Sequence, residues 1–137
     1  MPRLQDAVDD ARELLQHGAS GIEWLVLDVA DAFHNVPVRS SEQRFACGKV
    51  GDKFVAFTSL CMGGKSAPNI WGRFAAAIGR IVASIMPPKE HRVDIYADGP
   101  LLCAGGSPAR RTHLFTVVLL AITLVGFPMA LGKGVPK

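Results

Sequence analysis

Two apolar runs that each end in an aspartate constrain this chain more than any other feature. Ile22 to Leu27, broken only by Glu23, reads as a buried strand that delivers Asp28 where a side chain can leave the core and face a cleft. The second run, Arg92-Val93-Asp94-Ile95-Tyr96-Ala97, is β-branched and aromatic and leads into Asp98-Gly99, the dipeptide of a tight hairpin turn. Taken singly, Asp28 is equally a turn cap and Asp98 a hairpin residue. Taken together, two strand-end carboxylates 70 residues apart in sequence are what a divalent-metal phosphoryl-transfer site needs, because hard cations such as Mg²⁺ take oxygen ligands. Two bare carboxylates in close contact repel by about 4 kcal/mol at an effective dielectric of about 20. Such a pair therefore requires a cation between its members or a proton on one of them.

The remaining sequence supplies a body for such a site. A length of 137 residues indicates a single domain, 1–137, with a real core. A hydrophobic share of 49% against 20% charged residues excludes a disordered chain. The net charge of +3 permits nucleic-acid binding without requiring it. Cys47, Cys61 and Cys103 are odd in number and lack Cys-x-x-Cys spacing, which argues against a disulfide framework or zinc site and for an intracellular compartment, cytoplasmic or nuclear. His17, His34, His91 and His113 have no ligand spacing, and Met1-Pro2-Arg3 with the acidic segment after it has no signal-peptide pattern.

Periodicity predicts an amphipathic helix from Arg3 to Gln16, with Leu4, Ala7, Val8, Ala11, Leu14 and Leu15 on one face and Gly18 at its end. A short turn follows at Asp31–Asn35. Phe45 to Val50 and Phe54 to Phe57 read as a hairpin around Gly51-Asp52 with one face buried. Gly63-Gly64 break the chain before a helix from about Ala67 to Ile85, which Pro87-Pro88 end. Val93–Ala97 and Leu101–Ala104 form the second hairpin with Asp98-Gly99 at its tip. Ser107-Pro108 cap a helix over Arg110 to Val125. Leu114 to Phe127 is nearly all apolar but too short to span a bilayer, so it reads as a buried core helix and no membrane is involved. Pro128 to Lys137 is a weak strand or loop.

On these residues the chain resembles the reverse transcriptases. Leu27-Asp28-Val29-Ala30-Asp31-Ala32-Phe33 is similar to their motif A, and Leu60-Cys61-Met62-Gly63-Gly64-Lys65-Ser66-Ala67-Pro68 to motif B. Tyr96-Ala97-Asp98-Gly99 is similar to the Tyr-x-Asp-Asp of motif C with Gly in place of the last Asp, and Leu124-Val125-Gly126-Phe127 with Lys133 to motif D. The four motifs come in the family's order and span residues 22–134, after an N-terminal helix at 1–18.

The resemblance implies an α+β fold: a palm-type antiparallel sheet backed by helices, ferredoxin-like or RRM-like, with incomplete fingers and no thumb. It makes Asp28 and Asp98, with the backbone carbonyl of Val29, the ligands of two Mg²⁺ or Mn²⁺ ions, and Asp28 and Asp98 the catalytic pair. Asp31, Ala32, Phe33, Met62, Gly63, Lys65 and Lys133 would bind the nucleotide, Phe33 as a gate against the 2′-hydroxyl and Lys133 as a proton donor to pyrophosphate. Phe33 is also a plausible core residue. Met62 stands where retroviral relatives carry Gln. Tyr96, Ala97 and Gly99 would lie near the primer end. The implied partners are an RNA or DNA template with its primer, deoxynucleoside triphosphates and the remainder of a retroelement polyprotein. Because Gly99 removes a carboxylate and neither full fingers nor a thumb is encoded, the chain is expected not to polymerise at a useful rate. Two alternatives of other classes are a non-catalytic nucleic-acid-binding module built on an RRM-like sheet and a small membrane-associated helical protein.

Overall fold

The computed structural model describes residues 4–130, which form α1 (Leu4–Gln16), β1 (Ile22–Val26), β2 (Cys47–Val50), β3 (Lys53–Ala56), α2 (Ala67–Ile85), β4 (His91–Tyr96), β5 (Gly99–Gly105) and α3 (Pro108–Leu124). The chain divides into two compact units. The described residues of Met1–Ala30 and Phe74–Lys137 make one, and Asp31–Arg73 makes the other.

In the first unit β5 lies between two edge strands in the order β1-β5-β4, antiparallel throughout. Register fixes the two faces, because directly opposed residues project to the same side. Trp24, Cys103 and Arg92 share one face, and Leu25, Leu102 and Val93 the other. α1 packs on part of the first face: Arg92 pairs with Glu13 at 2.6 Å and Asp10 at 3.9 Å. The helix buries Ala7 and Leu14, and Gly18 at φ 87° ends it as Ala19 N–H returns to the Leu14 carbonyl.

The second face carries α3, joined to β1 by an Arg111–Glu23 pair at 3.0 Å, and the part of α2 from Phe74 onward. α2 approaches β4 closely: a Cβ on Gly79 would come within 3.3 Å of Ile95 Cδ1. Val82, Leu102, Ala104, Leu114, Val118 and Ile122 form the buried centre. The fold is thus α+β, an antiparallel sheet backed by helices. α3 begins as its sequence dictates, with Arg110 N–H donating to Ser107 Oγ at 3.3 Å and Pro108 in the first turn. It departs from the expectation of a wholly buried core helix. Leu114, Val118 and Ile122 make one buried stripe, whereas Leu120 and Leu124 are exposed, because only one side of the helix meets the sheet. Among the described residues no helix is long and apolar enough to cross a membrane.

In the second unit β2 and β3 pair as a two-stranded sheet, Val50 opposite Lys53, around Gly51-Asp52 as expected. The expectation of one buried face is corrected: every residue of β3 is exposed, as are Cys47, Lys49 and Val50 of β2. Among the described residues no third strand joins this pair, and strand alternation alone cannot bury a face. The Val36–Val38 segment pairs instead with Thr58–Leu60, through Val38 N–H to the Thr58 carbonyl and Leu60 N–H to the Val36 carbonyl.

Candidate active site

Asp28 follows the end of β1, and the β1–β5 pairing continues past the strand to hold it. Leu27 N–H donates to the Pro100 carbonyl at 2.9 Å and Val29 N–H to the Asp98 carbonyl at 3.0 Å. Extending the register by these bonds sets Asp28 opposite Gly99 and Val29 opposite Asp98. The sheet therefore brings Asp28 and Asp98 from 70 residues apart to adjacent positions on neighbouring strands, both half-buried.

The opposite side of the Asp28 backbone is held as well. Ala130 N–H donates to the Asp28 carbonyl at 2.8 Å and Ala30 N–H to the Pro128 carbonyl at 2.8 Å, bridging Val29 to Met129. Residues 28–30 are thus clamped between the β4–β5 turn and the segment after α3. A backbone held from two sides presents its side chains from fixed positions, as a site requires.

The turn differs from the sequence reading by one residue. Tyr96 pairs with Gly99, so Ala97-Asp98 are the central pair and Gly99 opens β5. Ala97 has φ 53° while Asp98 does not have positive φ, the pattern of a type II′ turn. The Asp-Gly dipeptide favours a type I′ turn centred on itself, but the register that aligns β5 with both neighbours moves the tip back. Gly99 has room for a side chain: a Cβ there would lie 3.4 Å from the Tyr96 carbonyl oxygen and 3.5 Å from that of Leu27. Tyr96 is 55% exposed and shares the Gly99 side of the sheet, as do Trp24 and Asp28.

Asp31, Ala32, Phe33 and residues 60–68 belong to the second unit. Asp31, exposed and at φ 50°, begins a short 3₁₀ turn over Ala32–Asn35, where its carbonyl accepts from His34 and Asn35 N–H. Ala32 is buried. Phe33 is half-buried with its ring 6.1 Å from that of buried Trp71, at 44°. Met62 and Lys65 are exposed, and Gly63 takes φ 92°. Lys133 lies outside the described residues.

Among the described residues no three His, Cys, Asp or Glu side chains group as a metal would require. Two carboxylates are nonetheless the number at which Mg²⁺ binds jointly with a substrate phosphate. Two carboxylates, with no side chain at Gly99, make a donor set that suits a hard cation only in company with a phosphate-bearing ligand.

Sequence reasoning missed a second acidic contact on the α1 side of the sheet. Burial, then the charge of Asp94, then a hydrogen bond with Asp94 push the Asp10 carboxyl up to about 6. Arg92, bridging Asp10 and Glu13, holds Glu13 below the usual range through its hydrogen bond and charge. Beneath them Cys103 is pushed up to about 11, by burial first and Asp10 second. Periodicity put Asp10 on the polar face of α1 and contained no signal of the strand that face would meet.

No family model matches the chain, and no curated protein matches it in sequence. In three dimensions it is similar to the crystal structure of the prototype foamy virus protease–reverse transcriptase, a selenomethionine-labelled CSH mutant, with a TM-score of 0.64 and 19% identity. The match covers 77% of this chain and 13% of that one, so the chain spans a small part of that protein's length. What the two share is the fold.

Proposed function

We propose that this chain is a reverse-transcriptase domain fragment of a retrotransposon-like element, a palm for RNA-directed DNA polymerisation whose metal site is degenerate. Support for the reading comes from the Val29–Asp98 hydrogen bond, which joins the backbone next to Asp28 to the turn that carries Asp98. Asp28 and Asp98, with the Val29 carbonyl, would hold Mg²⁺ or Mn²⁺ together with the phosphates of a deoxynucleoside triphosphate. When bound, such a cation neutralises phosphate charge and makes an attacking hydroxyl easier to deprotonate. The chain's own part is to hold the Asp28 backbone from both sides, with the turn that carries Asp98 as one of its two neighbours. Asp31, Ala32, Phe33, Met62, Gly63, Lys65 and Lys133 are the residues assigned to the nucleotide, and Tyr96, Ala97 and Gly99 those assigned to the primer end of a template–primer duplex.

Gly99 weighs against efficient chemistry. Positioning and charge neutralisation are nearly all that a phosphoryl-transfer site contributes, and one carboxylate of three is replaced. A second reading, a non-catalytic nucleic-acid-binding module, is favoured by exposed Trp24 and Tyr96 on the sheet face that also carries Asp28. Titration with a deoxynucleoside triphosphate in Mg²⁺ separates the two. The polymerase reading expects metal-dependent binding that Asp28→Asn abolishes. Binding indifferent to both the metal and Asp28 favours the module. Primer extension on an RNA template is expected not to exceed an Asp28→Asn control, and extension above it would make the fragment a working enzyme.

A further inference from the structure

The charge of the chain is not spread evenly. Asp31–Arg73 contains six Lys and Arg residues against three Asp and Glu, so this unit carries the whole net charge of +3, and the other unit is neutral. The ion pairs follow the same division. Every salt bridge between described residues lies in the first unit, and none engages Arg44, Lys49 or Lys53. Cations that no carboxylate among the described residues engages can meet phosphate.

Aromatic rings stand among these cations. Phe54 is 81% exposed and directly opposite Lys49, and Phe45 is 72% exposed under the Arg44 guanidinium, 4.6 Å from its ring centroid. Lys53 follows on the other face of the same two strands. A cleft of about 540 Å³, lined by Phe45 and Phe57 within the same unit, opens beside them and has the size of a small-ligand pocket. Leaving such rings in water is unfavourable unless something covers them, and the charge selects what covers them. A protein surface would need an acidic face to match. A single nucleic-acid strand brings a phosphate and an unstacked base at every step, and so satisfies the cations and the rings together.

We infer that the β2–β3 hairpin, with Arg44 and Phe45 leading into it, is a binding platform for single-stranded nucleic acid. Bases stack on Phe54 and Phe45, and Arg44 and Lys49 hold the phosphates. The platform needs neither a metal nor Asp28 and Asp98. It deepens the proposed function by naming a strand-binding surface, and it rests only on the nucleic-acid half of that reading.

The test is fluorescence anisotropy of the full chain with labelled oligo-dT, oligo-rU and a duplex of equal length, in EDTA. Both single strands are expected to bind more tightly than the duplex. Stacking on one exposed ring is worth about 1–3 kcal/mol, so Phe54→Ala should weaken single-strand binding about tenfold. Phe54→Leu should weaken it equally, and Phe54→Tyr should restore it, since the ring and not mere apolarity is required. Lys49→Gln should flatten the log–log salt slope by about 0.7, and Lys53→Gln, on the opposite face, should flatten it less. Equal affinity of Phe54→Ala and parent, full retention by Phe54→Leu, or preference for duplex would overturn the platform. So would sedimentation showing that Phe54→Ala dissolves an oligomer, which would make the hairpin an interface between copies. Failure of metal-dependent triphosphate binding with the Phe54 effect intact would remove the polymerase reading and leave the platform standing.

Discussion

Placing an aspartate at position 99 is the sharpest perturbation of the site. Register sets Gly99 directly opposite Asp28, and the nearest atoms to a new Cβ, at 3.4 and 3.5 Å, leave room for it. Gly99→Asp should therefore fold, and its cost should be electrostatic. Charges about 5 Å apart repel by about 0.8 kcal/mol at the dielectric of water and about 3 kcal/mol at an effective value of about 20. A half-buried position between these limits suggests a loss of about 1–3 kcal/mol in EDTA, and a melting temperature lower by about 4–12 °C. Gly99→Asn has the same shape without the charge and isolates that term. Mn²⁺ at about a hundred times its dissociation constant should return about 2.7 kcal/mol to the Asp variant. Differential scanning fluorimetry of parent, Asn and Asp variants, in EDTA and in graded Mn²⁺, measures all of this. Equal destabilisation of the Asn and Asp variants, or an Asp variant whose deficit Mn²⁺ leaves untouched, would refute the claim that position 99 faces Asp28 across a common site.

Three further outcomes follow from the same structure. Ala97 holds φ 53° at the first central position of the turn, where glycine is the natural occupant, so Ala97→Gly should stabilise the chain by about 0.5–1 kcal/mol in urea unfolding; destabilisation would contradict the turn assignment. Asp10 is raised to about 6, so the native state holds a proton that the unfolded chain releases, and this group's stabilisation is complete at low pH and fades between about pH 4 and 6. The shift sets a ceiling of about 3 kcal/mol, and solvent screening lowers it to about 1; Asp10→Asn should flatten that slope, and parallel pH profiles would count against the Asp10–Asp94 contact. Burial and a thiol raised to about 11 should keep Cys103 unreactive toward a disulfide reagent at pH 8 while exposed Cys47 and half-exposed Cys61 react, whereas three equally fast thiols would place Cys103 wrongly.

Much of the architecture was legible because local signals agreed with the final packing. The glycine pair before α2 and the prolines after it bound a helix whose limits, Ala67 and Ile85, match the periodic segment. Ser107-Pro108 likewise marked the start of α3. What escaped depended on partners distant in sequence. The β4–β5 turn shifted by one residue because register across three strands outweighed the local preference of Asp-Gly. The 128–130 segment reads as a weak strand or loop and does bridge as a strand would, but that its backbone holds Asp28 has no signal in the sequence, because backbone pairing requires no particular side chains. The β2–β3 hairpin has the alternation of a half-buried strand pair but no third layer to bury it, so its aromatics face solvent. Asp10 and Asp94 sit 84 residues apart, and neither periodicity nor spacing announces that they touch.

The central claim is that Asp28 and Asp98 form one cation site, and paramagnetic broadening tests it most directly. Amide spectra of the full chain would be recorded as Mn²⁺ is added together with a deoxynucleoside triphosphate. The expected result is selective loss of the Val29 and Gly99 signals, the neighbours of the two carboxylates, and their recovery in both Asp28→Asn and Asp98→Asn. Broadening centred elsewhere, or unchanged in either variant, would contradict the claim that the sheet brings these two aspartates together to hold a metal.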